Sequence, residues 1–169
     1  MSMNYINSAL KRISNILSKD LSSLEDKFVF PVGELADKIG LKVEFVSLPE
    51  GQSGALDIEN KIIYVNDNCS GTRNLFTIAH EIGHYIISLE NGNKHSKNRF
   101  DSKREYTEEE LEEEKEANNF AAELLMPKEK FKKIFIEYSF NLTKIAEYFG
   151  VSRVACEYRA MNLGFRDSI

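Results

Sequence analysis

The stretch His80-Glu81-Ile82-Gly83-His84 carries the most chemistry in this chain. On a helix, residues i and i+4 lie one turn apart on one face, so the two imidazoles project together. Their ring nitrogens can share one Zn²⁺ at about 2.0–2.1 Å. Glu81 then sits beside the metal without binding it. A carboxylate there can take a proton from zinc-bound water and pass it to a leaving amine. A five-residue pattern of this kind also arises by chance, and two histidines on a helix can be ordinary polar-face residues. Context favours the metal. These are two of only three histidines, and the helix around them is otherwise apolar, where unpaired polar groups are costly.

A zinc peptidase needs a third protein ligand and an open fourth position for water. His95 offers itself, but it lies in a polar stretch flanked by Lys94 and Lys97, where a solvated histidine is the plainer reading. Carboxylates are better candidates, in the run containing Glu105, Glu108, Glu109, Glu110, Glu112, Glu113, Glu114 and Glu116. Most of these must form a solvated face. Helical periodicity narrows the choice, because the apolar face runs through Ala117, Ala121 and Leu124. Three residues back from Ala117 is Glu114; four back is Glu113. Glu114 is the expected ligand, with Glu113 in reserve. Asn118, one turn after Glu114, could orient a ligand through its amide.

The elements that must position these groups follow from periodicity. Ile6, Leu10, Ile13 and Leu17 define an amphipathic N-terminal helix, and a short helix follows over Val32–Ile39, stopped at Gly40. The period then drops to two: Leu41, Val43, Phe45 and Ser47 alternate with Lys42, Glu44 and Val46. Gly54–Ile58 and Ile62–Val65 are two more strands, joined by a turn at Glu59-Asn60-Lys61. A helix from Gly71-Thr72 carries Leu75, Ile78, Ala79, Ile82, Ile86 and Leu89 as its apolar stripe and ends at Asn91-Gly92-Asn93. A polar surface loop is expected over residues 93–107. Thr107 and Glu110 form a capping-box signature for the next helix, whose end Pro127 marks. The tail from Asn141 reads as two short helices joined at Gly150-Val151-Ser152. The expected organisation is an N-terminal helix over 1–27, a catalytic core over 28–127 with a small, mainly antiparallel three-stranded sheet, and a helical subdomain over 128–169 packed on that core.

Composition is that of a soluble globular protein. The chain has 169 residues, 42% hydrophobic and 29% charged, enough to bury a core without covalent staples. Two cysteines far apart, Cys69 and Cys156, allow one bridge or two thiols in a reducing compartment. No apolar run approaches the ~18 residues of a membrane span, and the N-terminus lacks a signal-peptide core, so a cytoplasmic protein is expected. A net charge of −5 gives no support to broad nucleic-acid binding.

Two longer stretches together resemble the ImmA/IrrE metallopeptidases: Phe76-Thr77-Ile78-Ala79-His80-Glu81-Ile82-Gly83-His84-Tyr85, and Glu114 through Pro127 with its Glu116-Ala117-Asn118-Asn119-Phe120-Ala121-Ala122-Glu123-Leu124-Leu125-Met126 core. Gly54-Ala55-Leu56-Asp57 leading into Ile63-Tyr64-Val65-Asn66, and the tail around Ile145-Ala146 and Phe149-Gly150-Val151-Ser152, match in order. The resemblance spans roughly residues 28–165. It implies a zincin-like (thermolysin-like) fold with a helix-turn-helix-like tail, one Zn²⁺ held by His80, His84 and Glu114, and Glu81 as general base and acid. It further implies a cytoplasmic endopeptidase, typically encoded in mobile elements or stress-response loci beside the helix-turn-helix repressor it cleaves.

Tyr85, Arg73 and His95 are candidates for stabilising the oxyanion, although Arg73 is more readily a helix-start surface residue and stays off the catalytic list. The strand Ile62–Val65 is expected to offer a sheet edge to an extended substrate. Two other function classes compete. One is a non-catalytic anti-repressor or toxin–antitoxin-type regulator that acts by binding protein; the intact His-Glu-x-x-His and Glu114 argue against it. The other is DNA binding through the tail, where Lys144, Arg153, Arg159 and Arg166 face Glu147, Glu157 and Asp167, a balance too even for phosphate neutralisation.

Overall fold

The computed structural model describes residues 5–25, 27–92 and 106–165. Of the loop read over 93–107, residues 93–105, with His95 among them, lie outside the described residues. The order of elements is α1 (Ser8–Leu17), α2 (Val32–Ile39), β1 (Lys42–Val46), β2 (Gly54–Asp57), β3 (Ile62–Asn66), α3 (Gly71–Glu90), α4 (Glu108–Leu125), α5 (Lys128–Glu137), α6 (Leu142–Phe149) and α7 (Arg153–Asn162). This is the α+β, zincin-like arrangement: mostly helical, with one small sheet. Among the described residues no helix is long and apolar enough to cross a membrane.

The sheet order is β1-β3-β2. β2 and β3 form the expected antiparallel hairpin, with Leu56 opposite Ile63, and Lys61 in its turn takes a positive φ of 56°. β1 pairs with β3 in parallel, Val43 opposite Ile63, so the sheet is mixed rather than mainly antiparallel. Alternation reports which side chains share a face but not strand direction, which is why the mainly antiparallel expectation failed at β1. β3 is the central strand, its backbone paired on both sides. The expectation that Ile62–Val65 offers a free edge is therefore wrong; the edges are β1 and β2. Ile63 and Val65 are fully buried, whereas Phe45 on edge strand β1 is exposed rather than turned inward.

Each helix boundary has a local cause. Asn7, not Ile6, opens α1: its Oδ1 accepts from the Leu10 N–H while its Nδ2 donates to the Leu124 carbonyl at 2.9 Å, and Ile6 stays outside the helix and exposed. The Thr107–Glu110 capping box forms in both directions, placing three glutamates in the first turn of α4 against the positive end of the helix dipole. Pro127 ends α4 and is also the N-cap of α5, a helix absent from the sequence reading although Phe131, Ile134 and Phe135 show its period. α6 and α7 follow as expected around Gly150.

One buried cluster joins these elements, from Leu10 and Ile13 through Leu35, Ile63, Ile82 and Phe120 to Phe131, Phe149 and Ala160. At about 25 cal/mol per Å², each fully buried side chain of this size contributes roughly 1.5–3 kcal/mol. α1 is further tied down by Arg12, which pairs with Glu90 of α3 and Glu116 of α4 and lies over the Phe120 ring.

Candidate metal centre

α3 and α4 lie face to face, and Gly83 sets how closely they approach. A Cβ on Gly83 would stand 3.1 Å from the Phe120 ring and 3.3 Å from both the Cα and the carbonyl oxygen of Ala117. Glycine inside a helix costs about 1 kcal/mol relative to alanine, so its presence between the two histidines needs a packing reason, and this is one. With α4 that close, its carboxylates reach the imidazoles on α3.

The result is a triangle of donor atoms. Nε2 of His80 lies 3.0 Å from Nε2 of His84. Nε2 of His80 is 3.3 Å from Oε2 of Glu114, and Nε2 of His84 is 3.2 Å from Oε1 of Glu114. The two rings meet edge to face, at 85°. A tetrahedral ion with bonds of about 2.0 Å holds its ligands about 3.3 Å apart, close to these edges. Two imidazole nitrogens and one carboxylate are also the donor types zinc takes in catalytic sites. By spacing and by donor chemistry, these residues fit the metal.

Glu81 is buried on the same helix, and its carboxylate flanks the histidines beneath β2. Gly54 makes room for it: a Cβ there would collide with the Thr77 methyl and stand 3.3 Å from Oε1 of Glu81. Sequence reasoning missed both glycines. A glycine inside a strong helix and another at a strand start were the available signals. A cavity of about 300 Å³ opens over the triangle. Its walls are residues 51–54 entering β2, Phe76, Thr77, His80, Glu81 and His84 of α3, and Glu114 and Asn118 of α4, with Tyr106 at the rim.

The remaining sequence candidates fall as follows. Glu113 is turned away from the triangle, with Oε1 3.2 Å from Nδ1 of His84. Asn118 lines the cavity. Tyr85 is buried in the hydrophobic cluster and is not part of the cavity wall. Arg73 donates to the Ser53 hydroxyl at 3.0 Å, bracing the loop that leads into β2. Glu108, Glu109, Glu112 and Glu116 are exposed, the solvated face the sequence required.

The profile of the Peptidase_M78 family, described as the IrrE N-terminal-like domain, matches residues 36–161, which include every one of these side chains. The chain belongs to this family. Among solved structures, a Mycobacterium tuberculosis transcriptional regulator superposes on this M78 chain with a TM-score of 0.66 at 17% identity, over 92% of this chain and 47% of that one. That likeness is one of fold, and the chain spans about half the length of that regulator. No curated protein sequence matches. Membership implies a metallopeptidase-type scaffold and a metal, and His80, His84 and Glu114 are a cluster that could hold one.

Proposed function

We propose that this chain is a zinc-dependent endopeptidase in which His80, His84 and Glu114 hold one Zn²⁺ and Glu81 is the general base and acid. The observation that carries the proposal is the convergence of three ligand atoms, all within 4.8 Å of one another, beside a buried carboxylate at the floor of an open cavity. A zinc ion there supplies Lewis acidity, polarising a carbonyl and acidifying water. Glu81 accepts the proton of the attacking water and returns it to the departing amine; its burial strengthens that exchange by removing competing solvent. Edge strand β2, whose first residue Gly54 lines the cavity, pairs with no second strand among the described residues, and an extended peptide can pair on that edge.

The substrate class is a protein, and the resemblance to the ImmA/IrrE peptidases favours a helix-turn-helix repressor acting in the same cytoplasm. Direct DNA binding by the tail loses support. Arg159, one of its four cations, is buried, pairs with Glu123 and donates to the Met126 carbonyl at 3.0 Å. The exposed face of α7 presents Val154, Tyr158 and Met161 and only one cation, Arg153, too few for phosphate neutralisation.

The test is Glu81→Gln against wild type, with zinc content and cleavage of the co-encoded repressor measured together. Wild type is expected to carry one zinc and cleave. The variant should keep the zinc and lose about 10²–10⁴-fold in rate. Equal cleavage by both would remove Glu81 from the mechanism. Zinc without cleavage by wild type would favour a binding regulator, and absence of zinc from metal-replete wild type would remove the site.

A further inference from the structure

We infer that Glu113 is a positioning residue for the metal centre: it accepts a hydrogen bond from Nδ1 of His84 and so presents Nε2 of that ring, stripped of its proton, to the ion. The inference rests on the zinc reading proposed above and goes beyond it, because it assigns a residue that is not itself a ligand.

The geometry is specific. Glu113 and Glu114 are consecutive on α4 and diverge by about 100° around the helix. Together they address both nitrogens of one imidazole. Oε1 of Glu113 lies 3.2 Å from Nδ1 of His84, and Oε1 of Glu114 lies 3.2 Å from its Nε2. An ionised carboxylate can only accept, so the proton of the neutral ring resides on Nδ1 and Nε2 is left as a lone pair. That is the tautomer a metal requires on the side facing His80 and Glu114.

Burial makes the contact matter. The His84 side chain is 5% exposed and that of Glu113 only 13%, so water competes poorly for either group. The next residue back, Glu112, is 72% exposed and, among the described residues, pairs with Lys115 on its own helix. Three successive glutamates thus have three different environments: solvent, the outer nitrogen of a ligand ring, and the metal triangle. Carboxylates in the middle position raise the basicity of a ligand imidazole and lock its ring angle.

The experiment compares wild type, Glu113→Ala, Glu113→Gln and Glu112→Ala as full-length protein. Zinc affinity is read by chelator competition, the Co²⁺-substituted absorption spectrum reports ligand geometry, and thermal melts of the metal-free proteins report folding. Glu113→Ala should bind zinc about 10–100-fold more weakly and shift the Co²⁺ bands. Glu113→Gln, whose amide oxygen still accepts from Nδ1–H, should recover most of the affinity. Glu112→Ala should match wild type and metal-free Glu113→Gln should melt with it, whereas metal-free Glu113→Ala should fold but melt a few degrees lower, because the buried Nδ1–H of His84 loses its acceptor. Wild-type affinity in Glu113→Ala would overturn the inference while leaving the zinc reading intact. So would a Glu113→Gln variant that binds zinc no better than alanine, or a metal-free Glu113→Ala that is already unfolded before zinc is added. Failure of the wild type itself to bind zinc would instead overturn the reading beneath.

Discussion

The α3–α4 pair and the α5–α7 group are both helical layers closed by short turns, yet they bury opposite kinds of side chain. Where α3 packs against β2 and α4 it buries Thr77, Glu81, His84 and Ser88, polar or ionisable groups drawn into an apolar surround. In α5–α7 the interior is Phe131, Phe135, Phe149, Cys156 and Ala160, with rings stacked at 5.8 Å between Phe131 and each of its two phenylalanine neighbours. The one buried charge there, Arg159, reaches out to α4 through Glu123 and the Met126 carbonyl. Burying polar groups costs several kcal/mol each unless they are paired. A layer that concentrates them has the make-up of a ligand site; a layer that avoids them has the make-up of a packed core.

That contrast can be broken by mutation. The largest effect on stability is expected at Phe131, fully buried between two rings. Phe131→Ala should lower unfolding free energy by about 3–5 kcal/mol in urea titrations. The protein that remains folded should bind zinc as wild type does. Loss of zinc binding in that folded fraction would show that the two layers are one functional unit after all.

Gly83→Val probes the other layer. Its side chain enters space already occupied by Phe120 and Ala117, so α4 must move outward. Overpacking of this kind costs about 1–3 kcal/mol. Here it should also weaken zinc binding, because the Glu114 carboxylate withdraws from the histidines. A variant that melts lower but holds zinc with unchanged affinity would separate helix spacing from the metal site.

The smallest effect sharpens the description of the packed layer. Both cysteines are free thiols. Burial pushes the Cys156 thiol up to about 12, so at pH 8 it stays protonated and enclosed. Cys69, half-buried before α3, should be alkylated by iodoacetamide in the native protein, and Cys156 only after unfolding; mass spectrometry of the labelled peptides reads the difference. Early labelling of Cys156 would mean that α7 opens readily.

Much of this was legible in the residues themselves. The i, i+4 histidines, the Thr107–Glu110 capping box and the stop at Gly40 are local matters, settled within a turn or two of chain, and each is found where its pattern put it. α5 was missed because Pro127 was read only as an ending, although proline is as well suited to starting a helix. The sheet edge was misplaced because adjacency in sequence says nothing of which strand becomes central. Glu114 could be preferred over Glu113 from the period of α4, but the separate place of Glu113 could not.

By itself, then, the sequence determined the secondary elements, the histidine face and the family resemblance, because these depend on side-chain period and short-range capping. Only the tertiary structure decided that β3 is central, that Arg159 turns inward, and that two neighbouring glutamates meet opposite nitrogens of His84. The last of these depends on the approach of α3 to α4 across Gly83 and Ala117. A helical period specifies the direction in which a side chain leaves its helix, whereas what it meets is set by the distance and angle of the element packed against it.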